Sequence, residues 1–306
     1  DAAQCDLSIE LIEALFTKSM LGEIFETASQ GKLTKSQRII QQQSAFYCRN
    51  IEPVMRFLSG RDASMALRYS DLNFWPASKR KPTDEDLEWA FGTIGNHDRA
   101  THLCTLFLKD IVDFIQQTID PHFELIRYAE SLCLRLPEFT PLQQELEKPL
   151  SLIDKVLLRI FEEKINTLQP EFVGFSVPFP GNLYSALRCA QWLKQNHPAI
   201  KIIMGGGYVN TELRQMTDNR LFDYIDFLTF DDGELPLLRI LKGEELIRTL
   251  YRNSKGEIVR ENFDSTANFK FADIATPDYD GLLKNNYINL IEMTNPMHAL
   301  WSNGRW

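Results

Sequence analysis

The chain has 306 residues, a formal net charge of −9, and a composition that is 44% hydrophobic and 25% charged. This composition is typical of a globular protein with a sizeable core, and the acidic balance argues against nucleic-acid binding, which needs clustered lysines and arginines. The sequence contains neither an apolar run long enough to span a bilayer nor the charged and apolar regions of a signal peptide. We therefore expect a cytoplasmic protein without nucleic-acid or membrane partners.

The first half of the chain, over residues 8–168, is predicted to be almost wholly helical. Ser8 is a candidate N-cap for the first helix, and apolar residues recur at helical spacing over residues 152–168. Such stripes are typical of packing faces. No cofactor role is therefore assigned to them.

Residues 169–245 alternate between strand and helix patterns. An apolar strand at 172–176 is followed by a proline turn, a helix, and a second strand that runs into Gly205-Gly206-Gly207. A helix near 212–219, a strand at 224–230 and a helix at 234–241 come next. This alternation predicts a parallel α/β sheet, in which ligands bind at the carboxyl ends of the strands. Ser176 and the three glycines fall at those ends.

The last part of the chain contains a predicted β-hairpin and a tail. Two strand patterns flank residues 253–256, whose sequence Asn-Ser-Lys-Gly is typical of a hairpin turn. The hairpin is assigned to residues 246–263. Residues 264–306 have few packing periodicities and are expected to be an extended tail.

The spacing between Ser176 and the glycines carries a family resemblance. Ser176-Val177-Pro178, 26 intervening residues and Gly205-Gly206 resemble the second and third parts of the cobalamin-binding signature. With Asp231-Asp232-Gly233-Glu234, where the family usually has Gly-Glu-Gly-Glu, they resemble the N-terminal domain of cobalamin-binding radical S-adenosylmethionine enzymes.

The resemblance implies a flavodoxin-like sheet domain over residues 169–245, with residues 8–168 as a large helical insertion. It also implies an edge strand at residues 1–7 and a linker at 264–306 that leads to a radical S-adenosylmethionine domain of the same polypeptide. The family's central strand has no counterpart in this sequence, and residues 287–291 are the predicted replacement.

The resemblance also implies a corrinoid site. Ser176 would hydrogen-bond the nucleotide tail of cobalamin, the glycines would admit a large flat ligand, and the remaining residues would border it. The predicted cofactor-binding residues are Ser176, Pro178, Asn182, Gly205, Gly206, Gly207, Asp231, Asp232, Gly233 and Glu234.

Two further family motifs are absent from the sequence. The Cys-x-x-x-Cys-x-x-Cys motif that binds a [4Fe–4S] cluster is missing, so cluster and S-adenosylmethionine are expected only in the parent protein. The Asp-x-His-x-x-Gly motif is missing too, so cobalamin is expected without a histidine ligand. The chain is thus predicted to be the cofactor-side region of an oxidoreductase or methyltransferase, with no catalytic or metal-binding residue of its own and an undetermined small-molecule substrate.

Two other functions fit the same residues. The sheet domain can be a degenerate module that binds no cofactor, with the helical region serving for docking; Asp231 and Asp232 would then cap a helix. Alternatively, Gly205-x-Gly207-x-x-Asn210 is a broken dinucleotide motif, followed about 20 residues later by an acidic pair. Its third glycine is replaced, which makes this the less favoured alternative.

Overall fold

The structure is a computed structural model that describes residues 2–92, 95–125 and 139–292. The described chain is a mixed α/β protein, as predicted, and it divides into two compact units. Of the described residues, those up to Leu125 and residues 280–292 form a helical unit, and residues 139–279 form a sheet unit. The predicted border at residues 168 and 169 therefore differs from the observed one, because the helices between residues 139 and 169 belong to the sheet unit.

The helical unit packs around buried aromatic side chains. Tyr47 stacks on Phe107 with ring centroids 5.0 Å apart, and Phe25 packs on Phe114 at the same separation. Its described helices are α1 (Leu7–Leu15), α2 (Lys18–Ser29), α3 (Lys35–Gln42), α4 (Ser44–Leu58), α5 (Ala66–Ser70), α6 (Asp84–Phe91) and α7 (Asn96–Thr118). Among the described helices, none is long and apolar enough to cross a membrane.

The predicted strand at residues 1–7 is wrong. Residues 2–6 form no strand, and α1 begins at Leu7 because the Asp6 carboxylate accepts hydrogen bonds from the backbone N–H groups of Ser8 and Ile9, at 3.0 and 3.2 Å. An aspartate in this position satisfies amides that the first helical turn leaves free. Asp6, and not Ser8, is therefore the N-cap.

Residues 280–292 form a strap that lies against the helical unit. Asn289 N donates to Leu58 O at 2.8 Å, and Ile291 N donates to the Thr105 hydroxyl at 3.0 Å. The Ile291 carbonyl accepts a hydrogen bond from His102 Nδ1 at 2.8 Å. The prediction that residues 287–291 replace a strand of the sheet is therefore wrong.

The burial of His102 makes the stability of the helical unit depend on pH, and the hydrogen bond to Ile291 of the strap partly opposes this effect because it raises the pKa. Burial lowers the pKa of His102 below its ordinary value of 6.5, so the unfolded chain takes up a proton before the native protein does. The stabilisation from neutral His102 is complete above pH 6.5 and is lost as the pH falls through the native pKa.

We expect the difference in unfolding free energy between the wild type and His102→Gln to shrink between pH 7 and pH 5. The change is at most about 1.4 kcal/mol per pH unit. Chemical denaturation at the two pH values measures it, with His97→Gln, an exposed site on the same helix, as the control. A difference that stays constant with pH would contradict the assignment.

The described part of the sheet unit begins with two helices and then alternates strands with helices. Its described helices and strands are α8 (Thr140–Glu147), α9 (Leu152–Leu168), β1 (Phe172–Ser176), α10 (Gly181–Asn196), β2 (Lys201–Gly205), α11 (Gly207–Glu212), β3 (Phe227–Thr229), α12 (Glu234–Lys242), β4 (Thr249–Arg252) and β5 (Ile258–Glu261).

The five strands form one open sheet in the order β1-β2-β3-β4-β5. β1, β2 and β3 are parallel, whereas β4 pairs antiparallel with both β3 and β5. β4 and β5 are the two strands of a hairpin over residues 253–256, and the hairpin extends the sheet beyond β3. The sheet is therefore mixed, and not parallel throughout.

The helix predicted near residues 212–219 lies earlier in the chain. α11 starts at Gly207, directly after β2, because Gly206 turns the backbone sharply at φ 107° and ψ 176°. Residues 213–218 then contain no helix, and Asp218 caps a short 3-10 turn, Asn219–Asp223. The glycine run ends the strand and starts the helix without an intervening loop.

A buried ion pair joins three helices of the sheet unit. Arg188 of α10 lies 3.3 Å from the Asp154 carboxylate of α9, and both side chains are 2% exposed. Tyr184 donates to the same carboxylate at 3.1 Å, while Arg188 donates to the carbonyls of Leu146 and Glu145 in α8, at 2.7 and 3.1 Å. These polar contacts fix α10, and with it the connection between β1 and β2.

Candidate functional site

The carboxyl ends of β1 and β2 bring Ser176 and the glycines together. In the parallel register, Ser176 lies opposite Gly205. Val177 N donates to Gly205 O at 2.7 Å, and Tyr208 N donates to Val177 O at 3.1 Å. The pairing therefore continues past the ends of both strands and places Pro178 beside the start of α11.

The chain itself occupies the space that the glycines leave. A Cβ at Gly206 would lie 2.7 Å from Val177 N and O, and one at Gly205 would lie 2.8 Å from the Thr229 hydroxyl. A Cβ at Gly207 would lie 3.2 Å from Pro178 O. Contacts this close explain the glycines through internal packing, without a ligand.

The residues that follow β3 lie beside the glycines at the same edge of the sheet. Asp231, with φ at 61°, donates its backbone N–H to Asn210 Oδ1 at 2.6 Å. Its carboxylate pairs with the Arg214 guanidinium, and Arg248 Nε lies 3.9 Å from the second carboxylate oxygen. Asn210 of α11 and Arg214, two residues beyond the end of α11, thereby connect this part of the chain to the Asp231 turn.

The alternative prediction that Asp231 and Asp232 cap α12 is wrong. The N-cap of α12 is Gly233, and no side chain caps this helix. The Asp231 carboxylate is turned to Arg214, and the Asp232 carboxylate accepts from the Asn268 amide. Both carboxylates therefore contact neighbouring segments and not the start of α12.

Arg248 ties the tail to the site. Its side chain is 6% exposed and donates to the carbonyls of Ser265 and Ala267, at 3.0 and 2.7 Å, and to Asp232 O at 3.4 Å. Sequence patterns did not predict Arg214 or Arg248 as parts of this edge. Arg214 carries a weak signal, since it follows Asn210 by one helical turn.

The predicted site residues differ in how closely they associate. Ser176, Pro178, Gly207, Asp231 and Asp232 are exposed at or beyond the strand ends. Among the described residues, no hydrogen bond links the side chain of Asn182 or Glu234 to this edge. Asn182 is the second residue of α10, and Glu234 is the first residue of α12.

The charges at this edge compensate one another. Arg214 and Arg248 face Asp231, so an anionic ligand would have to compete with a carboxylate that is already in place. Across the described parts of the chain, no group of three or more His, Cys, Asp or Glu side chains is arranged to hold a metal ion. Ser176, an exposed residue at the same edge, adds an uncharged hydroxyl group.

Comparison of the chain with known protein families, with curated proteins and with solved structures finds no match. The function is consequently inferred from the sequence motifs and from the geometry of this edge.

Proposed function

We propose that the sheet unit is a flavodoxin-like, cobalamin-binding-type domain of a radical S-adenosylmethionine enzyme. It holds a corrinoid at the carboxyl ends of β1, β2 and β3. The observation that supports this most directly is the register of β1 and β2, in which Ser176 lies opposite Gly205. The two parts of the sequence signature thereby meet at the edge where open α/β sheets bind ligands.

The strand order supports the flavodoxin-like assignment. β1, β2 and β3 are parallel and adjacent in chain order, like the last three strands of the order 2-1-3-4-5. β1 is an edge strand of the described sheet, and in the flavodoxin-like order a further strand pairs there.

The exposed groups of the edge suit a nucleotide tail. The Ser176 hydroxyl would hydrogen-bond the tail, Pro178 and Gly207 would contact it, and Asp231 to Glu234 would border it. His197 ends α10 before β2 begins, at the opposite end of the sheet from Ser176, so these strand ends would hold cobalamin without that histidine. Bound cobalamin would supply methyl transfer or assist radical chemistry, together with the cluster and S-adenosylmethionine of the parent protein.

We expect this chain to bind hydroxocobalamin and Ser176→Ala to weaken binding about tenfold, the loss of roughly one hydrogen bond. Titration followed through the corrin absorption bands measures both affinities. Ser254→Ala, in the exposed hairpin turn, is the matched control and should bind like the wild type.

The titration also tests the polypeptide extended through the predicted radical domain. If neither folded protein binds hydroxocobalamin, the proposal is wrong. If both serine variants bind equally, the site does not lie at the end of β1.

A second candidate is a module that binds no cofactor and uses its helical unit for docking. The observation in its favour is that packing against Val177, Pro178 and Thr229 already accounts for all three glycines. A failed titration of both proteins would favour this candidate.

The dinucleotide alternative has less support. Asn210 stands at the third glycine position of the motif, and its side chain accepts a hydrogen bond from Asp231 N. The helix at the motif, α11, has only six residues. Thermal stabilisation of the chain by NAD or NADP, without binding of hydroxocobalamin, would support the dinucleotide alternative.

A further inference from the structure

The helical unit contains a cleft of about 310 Å³ between α3, α7 and the turn that precedes α6. Four apolar side chains, Ile39, Ile40, Ala77 and Phe114, line it together with charged groups of the turn and of α7. The charged residues are Lys79, Asp110 and Asp113. A cleft of this size and mixed lining is typical of sites for small molecules.

Asp113 has more positive partners than its charge requires. Lys79 Nζ and an Arg80 guanidinium nitrogen each lie 2.7 Å from the same carboxylate oxygen. The Arg80 side chain is 32% exposed and that of Lys79 is 58% exposed. Because Arg80 alone can neutralise Asp113, the Lys79 ammonium group is available to pair with an anionic group of a ligand.

Asp110 has the opposite imbalance. Its side chain is 6% exposed, and its nearest cation is Arg80, whose Nε lies 4.0 Å from the carboxylate, beyond hydrogen-bond distance. The Tyr47 hydroxyl donates to Asp110 at 3.2 Å, and the Ser78 side chain also hydrogen-bonds the Asp110 carboxylate. Burial nevertheless raises the pKa of Asp110, because these neighbours do not offset the loss of water.

We propose that this cleft binds a zwitterionic amino acid with an apolar side chain. The ligand ammonium would pair with Asp110, its carboxylate with Lys79, and its side chain would pack against Ile40 and Phe114. The charges of Asp110, Asp113, Lys79 and Arg80 sum to zero. A ligand with a single charge could pair with Asp110 or with Lys79, and would leave the other without a partner. A zwitterion matches both.

The direct test is calorimetric titration of the whole chain with L-phenylalanine, 2-phenylethylamine and 3-phenylpropionate. The amine lacks the carboxylate of L-phenylalanine and the acid lacks its ammonium, while all three share the aromatic ring. We expect L-phenylalanine to bind at least about tenfold tighter than either analogue, since each charge-assisted hydrogen bond is worth roughly that factor. Equal affinity for either analogue, or no binding of L-phenylalanine, would overturn the proposal.

Two variants assign the contacts. Asp110→Asn, which retains an acceptor for Tyr47, should weaken L-phenylalanine at least about tenfold. Lys79→Gln, an exposed change that leaves Arg80 on Asp113, should weaken L-phenylalanine and 3-phenylpropionate but not 2-phenylethylamine. Arg38→Gln, on the exposed face of α3, is the control. If Lys79→Gln leaves the affinity for L-phenylalanine unchanged, the zwitterion assignment is wrong even where Asp110→Asn fails to fold.

Discussion

Arg188→Met should destabilise the sheet unit by about 3 kcal/mol or more, because removing one partner of a buried ion pair leaves the other charge uncompensated. Asp154 would keep the Tyr184 hydroxyl and the Ser151 backbone N–H, at 3.1 and 3.2 Å, but would lose the Arg188 guanidinium. The carbonyls of Leu146 and Glu145 would lose their donors as well. The free energy of unfolding in urea measures the loss.

A second substitution separates charge from packing. In Asp154→Asn with Arg188→Met, neither charge of the pair remains, and the asparagine oxygen can still accept from Ser151 and Tyr184. The double variant should therefore be more stable than Arg188→Met alone. Arg252→Met removes the exposed pair with Asp223 and should cost at most about 1 kcal/mol. An Arg188→Met variant as stable as Arg252→Met would show that the buried pair contributes little.

The sequence predicts the centre of the sheet unit well. The strand, helix and strand between residues 172 and 205 are visible because each has its own hydrophobic period and ends at a proline or a glycine. The hairpin is equally visible, since the turn at residues 253–256 lies between two short β-rich runs. Local signals suffice wherever the structure depends on neighbours in the chain.

Contacts between distant segments were not predicted. Arg248, the residue before β4, reaches the Asp231 turn and holds Ser265 and Ala267 there, but nothing in its local sequence distinguishes it from an exposed arginine. The segment at residues 287–291 has the apolar composition of a strand, yet its N–H and C=O groups pair with α4 and α7. Competition between partners far apart in sequence decided both cases.

The glycine run gives the second large effect. Gly206→Ala should destabilise the sheet unit by about 3 kcal/mol or more, because strain at its backbone angles adds to overpacking. Gly206 has φ 107° and ψ 176°, a region that is essentially restricted to glycine, and its new methyl group would lie 2.7 Å from Val177 N. Urea unfolding followed by circular dichroism measures the change.

Gly243→Ala separates the two contributions. Gly243 also has a positive φ, at 65°, but a Cβ there would meet nothing within 4 Å, so this variant should lose only about 1 kcal/mol. A Gly206→Ala loss no larger than that of Gly243→Ala would mean that Val177 moves aside and that the run at residues 205–207 is not required by packing. A large loss with unchanged binding of hydroxocobalamin by the folded fraction would instead assign Gly206 to the fold and not to the proposed corrinoid site.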